Sequence, residues 1–190
     1  MKIRESGMPD KTMWEKYLEP EPILRRMGLT SFQCDVADLG CGYGTFTLPA
    51  ARIVSGTVYA LDIEPEMVET VRRRSRKAGI GNIRAYLRDF MSHGTGRPDQ
   101  SIDHVMIYNI LHGVRPEVLL REAFRILVPG GRLSVIHWIH DPDTPRGPPM
   151  EIRPKPEECM VWAEAEGFHL LEPDIIELPP YHYGLIFYRP

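Results

Sequence analysis

Residues Val36-Ala37-Asp38-Leu39-Gly40-Cys41-Gly42-Tyr43-Gly44 lead from an apolar run through an acid into a turn with glycine at alternate positions. Glycine reaches backbone angles closed to other residues and carries no Cβ, so such a turn can press its amides against a ligand at the start of the following helix. A second apolar run, Thr57-Val58-Tyr59-Ala60-Leu61, ends in Asp62, an acid about 20 residues on, where it can take both hydroxyls of a ribose. Two details select the ligand. A dinucleotide turn has a third glycine three positions after the second, where this chain has Thr45, and that glycine lets helix and strand pack closely. Asp38 would repel a pyrophosphate and suits a ligand carrying an ammonium group.

These residues resemble the class I S-adenosylmethionine-dependent methyltransferases, whose first motif looks like Asp38 to Gly44. The resemblance continues in order through Asp62, Arg88-Asp89-Phe90 and Leu127-Val128-Pro129-Gly130-Gly131-Arg132-Leu133, and covers residues 30 to 140. Within the class it points to the small ubiquinone/menaquinone-methyltransferase-like domains that act on small molecules. It implies S-adenosylmethionine as cofactor, with Gly40, Gly42 and Gly44 approaching its methionine portion and Asp38 near the ammonium. Asp62 would hold the ribose, Ile63 would cover adenine, Asp89 with Phe90 would meet the adenine amine, and Asn109 would line the methyl-transfer edge. The implied fold is α/β: a three-layer sandwich around a doubly wound, mostly parallel seven-stranded sheet of order 3-2-1-4-5-7-6, last strand antiparallel.

Methyl transfer from a sulfonium asks little chemistry of the protein, because the methyl is activated and the leaving group neutral. Holding the reactants in line in a dry pocket supplies about 7–11 kcal/mol. A general base matters only for an acceptor that carries a proton. The candidates are His137 and His140 around Trp138, then His112 beyond Asn109; on a strand, His137 and His140 would point to opposite faces. No histidine or cysteine spacing marks a metal site, and none is expected. Cys34, Cys41 and Cys159 are odd in number and read as reduced thiols.

The 190 residues suit a single domain, with residues 1–30 as a helical cap and residues 141–156 as a proline-rich loop on the substrate side. A formal charge of −3 gives no basic footprint for nucleic acid. The run Arg72-Arg73-Arg74-Ser75-Arg76-Lys77 falls late in a helix, where cations offset the dipole. No stretch reaches the about 20 apolar residues of a membrane span, and no signal core follows Met1; the expectation is a cytoplasmic enzyme with a small-molecule substrate. The rival readings are a nicotinamide-dependent oxidoreductase and a non-catalytic S-adenosylmethionine-binding module.

Periodicity places the elements that must position these residues. Thr12 to Met27 is amphipathic, broken in the middle by Pro20 and Pro22, and the segment Met8 to Met27 is a candidate cover for the cofactor. Strands are expected over Cys34–Leu39, up to Asp62, Ile83–Arg88, Ser101–Tyr108 and Arg132–Ile139, with a hairpin of His169–Leu178 and His182–Arg189 around Pro179-Pro180. Helices follow from Thr45, Pro65, Pro116 and Pro156, the last closed by Gly167. Ser92 to Gln100 reads as a loop with at most one helical turn.

Overall fold

Val36, Ala37, Asp38 and Leu39 are buried at every position, as a parallel strand covered by helices on both faces must be. The computed structural model describes residues 19–33, 35–113, 115–171 and 174–190. Strand β1 (Val36–Leu39) lies between β2 (Val58–Asp62) and β4 (Ile102–Tyr108), parallel to both. Strand β3 (Ile83–Leu87) extends the sheet beyond β2, and β5 (Leu127–Trp138) beyond β4. Strands β6 (His169–Leu170) and β7 (Ile176–Leu178) both pair antiparallel with β8 (His182–Tyr188), which runs antiparallel to β5. The order is β3-β2-β1-β4-β5-β8-β6, the implied one with its penultimate strand in two pieces. Pro173, which has no N–H to give a ladder, separates those pieces in the sequence.

Three layers result. Helices α1 (Pro20–Arg26) and α2 (Thr47–Ile53) bury Leu24, Ala50 and Ile53 against Val36, Met106 and Ile136 on one face, and α3 (Pro65–Lys77) adds Val71 against Ala60. On the other, α4 (Phe90–His93), α5 (Pro116–Ile126) and α6 (Pro156–Ala165) bring Phe90, Leu120, Ala123 and Cys159 onto Leu39, Val105, Val135 and Leu185. Pro20, Pro65, Pro116 and Pro156 each open their helix in the first turn, where the missing N–H costs nothing. Pro20 opens α1, and the part of the expected amphipathic stretch before Glu19, with Trp14 and Tyr17, lies outside the described residues. Among the described residues no helix is long and apolar enough to cross a membrane.

The expected turn before β5 is also corrected. Leu127 already pairs with Ile102, and the register resumes at Arg132 opposite His104, so Val128 to Gly131 is an excursion within the strand. The backbone of Arg189 closes it, accepting from Gly130 and donating to Gly131. The Arg189 guanidinium donates to the carbonyls of Phe124 and Leu127 at 2.8 and 2.7 Å, capping α5.

Between β4 and β5 the core contains polar groups. His104 and Tyr108 both meet the Ser134 hydroxyl, at 2.7 and 2.9 Å, and Ser134 donates to the Val105 carbonyl at 3.4 Å. Burial holds His104 near 3, His112 near 4 and His182 near 3, below the ordinary 6.5. In the unfolded chain these rings charge as pH falls below 6.5 while the folded ones stay neutral. Stability should therefore drop with falling pH, by up to about 1.4 kcal/mol per unit for each ring. Asp38, raised by burial to about 7, and Asp62, also raised by burial, work in the opposite direction, and they are two against three rings. Urea midpoints at pH 7, 6 and 5 should decline in turn, and a His104→Gln variant should lose less over this interval than the parent.

Candidate active site

At the carboxyl ends of β1 to β4 the chain leaves a cavity of about 420 Å³, within the about 300–1,000 Å³ usual for small-molecule sites. Asp38, Gly40, Gly42, Asp62, Ile63, Asp89, Phe90 and Asn109 all line it. Four strand ends thus bring together what the sequence separates, as the switch point of an open parallel sheet requires.

The turn after β1 forms because its glycines adopt φ of 79°, 50° and 78° at Gly40, Gly42 and Gly44. A Cβ on Gly40 would stand 3.0 Å from the Ile110 side chain, which itself lines the cavity. Gly44 does something else. Its missing Cβ would fall 2.7 Å from Leu48 and 3.0 Å from Val71, so this glycine admits close packing of α2 and α3 and does not line the cavity. It fulfils, one position early, the packing role of the glycine that Thr45 replaces.

Asp38 is 3% exposed and accepts from the Thr47 hydroxyl at 2.5 Å. Burial raises its carboxyl to about 7, with a further push from Asp62. Asp62 accepts from the backbone N–H groups of Gly42 and Glu64, each at 2.9 Å, which locks its carboxylate at the lip of the turn and leaves lone pairs facing the cavity. Burial raises its carboxyl as well. At the far end, Asp89 caps α4 by accepting from the Ser92 amide at 3.1 Å, and Phe90 is buried beside it. Asn109 holds a left-handed φ of 58°; its amide donates to the Ile136 carbonyl at 2.8 Å, and its side-chain oxygen is buried without a protein partner.

The sequence model of the "Methyltransferase domain" family matches residues 36–131, the span that carries this cavity. The chain belongs to the class I S-adenosylmethionine-dependent methyltransferases. The methyltransferase is 32% identical over 119 residues to a sterol 24-C-methyltransferase of Eremothecium gossypii, covering 62% of this chain and 31% of that protein. It is 34% identical over 107 residues to the ubiquinone/menaquinone biosynthesis C-methyltransferase UbiE of Pasteurella multocida, covering 54% and 39%. The chain thus spans less than half the length of these curated relatives. A crystal structure of a SAM-dependent methyltransferase from Aquifex aeolicus superposes with a TM-score of 0.82 at 25% identity, covering 94% of this chain and 93% of that one.

The cavity of the methyltransferase fits the family's cofactor. Its walls offer carboxylates where an ammonium and two ribose hydroxyls need acceptors, and the unpartnered Asn109 oxygen is one more acceptor. The residues on the same walls that sequence reasoning missed include Tyr43, Phe46, Glu64, Glu66, Met67 and Met91. Their signal was position: each lies within a few residues of a strand end already assigned to the site.

The three candidate bases are placed differently. None lines the cavity. His112 and His137 are buried and bonded to each other, Nδ1 to Nε2 at 3.1 Å, with His112 Nε2 and His137 Nδ1 lacking a partner. Burial drives the His137 ring well below the ordinary histidine value. His140 is exposed and donates Nδ1–H to the Arg153 carbonyl at 2.8 Å. Among the described residues no three metal-ligating side chains cluster.

With the cofactor's ammonium beside Asp38, as the family resemblance implies, binding should depend on pH. A cation docking beside a carboxyl that titrates near 7 must displace its proton. Affinity for S-adenosylmethionine should therefore rise roughly tenfold from pH 6 to pH 8 with release of a proton. Calorimetry in buffers of different ionisation enthalpy reads both, and Asp38→Asn should bind more weakly with a flat profile.

Proposed function

We propose that this methyltransferase transfers the methyl group of S-adenosylmethionine to a largely apolar small molecule, which enters beside the ends of β4 and β5 and the loop Asp141–Lys155. The observation that carries this reading is the composition of the cavity along its length. Around Asp62 it is acidic, but at the β4 end the wall passes to Tyr108, Asn109 and Ile110, with Tyr43 and Phe46 across the turn. An acceptor at that end meets aromatic and aliphatic surface and a single amide. The relatives named for sterol and for ubiquinone/menaquinone biosynthesis support an acceptor of this character.

When bound, the cofactor supplies an activated methyl on a positively charged sulfur. The chain's own residues bind and orient. Asp62 holds one end of the cofactor through its fixed carboxylate, Asp38 and the Asn109 oxygen accept from the other, and Gly40 admits the close approach. The loop beside the acceptor is a rigid wall. Arg153, 6% exposed, donates to the carbonyls of Pro148, Ile139, Asp141 and Arg146 and to the Thr144 hydroxyl. With its donors spent on the loop, Arg153 shapes the wall and does not bind an acidic substrate.

Catalysis is mainly positional. None of the three candidate histidines lines the cavity, so no base is assigned to this site: His112 is buried with its Nδ1 on His137, and burial keeps its ring neutral down to about 4. His137 orients that ring, and His140 secures the loop through Arg153.

Three variants test this reading. Asp62→Ala removes a buried charge-assisted acceptor and should weaken S-adenosylmethionine binding at least roughly tenfold. With an acceptor found by screening apolar hydroxylated and enolic compounds, Asn109→Ala should lower turnover equally from pH 6 to 8. His112→Ala, off the cavity, should leave turnover level from pH 6 to 8 for acceptors with and without a proton to lose. The parent should show the same level turnover over that range. Binding without turnover across the acceptor panel would instead indicate a non-catalytic cofactor-binding module.

A further inference from the structure

In the basic run at the end of α3, Arg72, Arg73, Arg76 and Lys77 are exposed, whereas Arg74 is half-buried. Arg72 and Arg76 both reach Glu69, at 3.9 and 3.0 Å, as exposed pairs on a helix do. Arg74 donates instead to the carbonyl of Tyr43 at 2.6 Å, a residue 31 positions away in the glycine turn after β1. Compensation of the helix dipole accounts for the exposed cations; it does not account for a bond that leaves the helix.

Tyr43 stands between Gly42 and Gly44, whose φ values are 50° and 78°, and it lines the cavity. Glycine has the widest choice of backbone angles, so both flanks of Tyr43 are soft joints unless hydrogen bonds hold them. The first half of the turn is tied to β2: Gly40 and Cys41 donate to the Leu61 carbonyl at 2.8 and 3.1 Å, and Gly42 donates to Asp62 at 2.9 Å. The peptide that joins Tyr43 to Gly44 is held differently. Its N–H donates to the Cys41 carbonyl at 2.9 Å, and its C=O accepts from Arg74. One end of this peptide plane is thus fixed by the turn and the other by α3. Val71, on the same face of α3 as Arg74, packs where a Cβ on Gly44 would stand. The helix therefore supports the turn at two adjacent points.

We propose that Arg74 is a positioning residue for the cofactor: by holding the Tyr43–Gly44 peptide it sets where Tyr43 stands in the cavity wall, and so how well S-adenosylmethionine fits. This rests on the reading that the cavity holds that cofactor. Arg74 does not line the cavity and acts through Tyr43. A guanidinium gives a charge-assisted bond, stronger than one from a neutral donor, and its planar fork fixes the direction of the acceptor. Without it the peptide rotates between two glycines, and Tyr43 is spread over several positions.

The test follows the ring and the binding separately. The chain is produced with 3-fluorotyrosine, and the Tyr43 signal, one of eight, is assigned by its loss in Tyr43→Phe. The parent should give one sharp Tyr43 fluorine resonance. Arg74→Met keeps the apolar stem and removes the donors; it should split or broaden that resonance and leave the other tyrosine signals in place. In calorimetric titration it should bind S-adenosylmethionine about tenfold more weakly, within the range of one charge-assisted hydrogen bond. Arg74→Lys restores a charged donor without the fork and should reduce the loss to about threefold. Arg76→Met, which breaks only an exposed pair, should alter neither readout. Parental affinity in Arg74→Met would overturn the inference, as would weaker binding beside an unchanged Tyr43 resonance. If Arg74→Met does not fold, Arg74→Lys carries the test: parental affinity beside a split resonance, or weaker binding beside a sharp one, would overturn it. Absence of S-adenosylmethionine binding in the parent would overturn the reading of the cavity, while the fluorine signal would still report the hold of Arg74 on Tyr43.

Discussion

A carboxyl group almost out of water, at the end of the most buried strand, is the constraint around which this molecule is arranged. Among the described residues Asp38 has one neutral partner, Thr47, and no cation beside it. Burying an unpaired carboxylate is expensive, and proteins meet that cost by protonating the group or by pairing it. The ends of β1 and β2 are set so that a visiting cation does the pairing. The glycine turn bends backbone out of the way, Asp62 is pinned to that turn by Gly42 and Glu64, and the sheet supplies the rigidity that keeps the carboxylates from drifting into solvent.

Most of this was legible in the sequence, for a physical reason. Contacts that depend on backbone geometry leave local marks: a glycine at most positive-φ positions, a proline at the starts of α1, α3, α5 and α6, and an acid at or beside the ends of β1, β2 and β3. Asp38, Gly40, Gly42, Asp62 and Asp89 carry such marks, Ile63, Phe90 and Asn109 came from the family resemblance, and all of them line one cavity. Gly44 was recognised as part of the motif, but its use was not, because packing against Leu48 and Val71 depends on residues with no spacing signature of their own. The excursion at Val128–Gly131 was hidden for a related reason: a Pro-Gly-Gly run reads as a turn whether a strand stops there or bulges and continues.

The histidines show where such reading ends. A histidine looks the same in sequence whether it faces a ligand or a neighbour in the core. His112 and His137, 25 residues apart, meet only because the turn after β4 folds onto the end of β5. His137 stands opposite Tyr183 in the antiparallel register, and Tyr183 in turn reaches the Pro154 carbonyl and Cys159. Strand pairing over long sequence distances created that row, and no local pattern announces it.

Arg153 has a consequence for how such an enzyme can diversify. Most of its acceptors in the loop are main-chain carbonyls, from Ile139, Asp141, Arg146 and Pro148, and every residue type carries one. The loop's shape is therefore decoupled from most of its side chains. Drift at Pro142, Asp143, Pro145, Pro149 or Met150 can alter the loop's surface while the guanidinium keeps the backbone path. Change at Gly147 is closed, because a Cβ there would collide with Arg153 at 2.7 Å. One buried cation thus separates the heritable frame of the loop from its variable side chains, an arrangement in which the loop's surface can evolve without refolding its backbone.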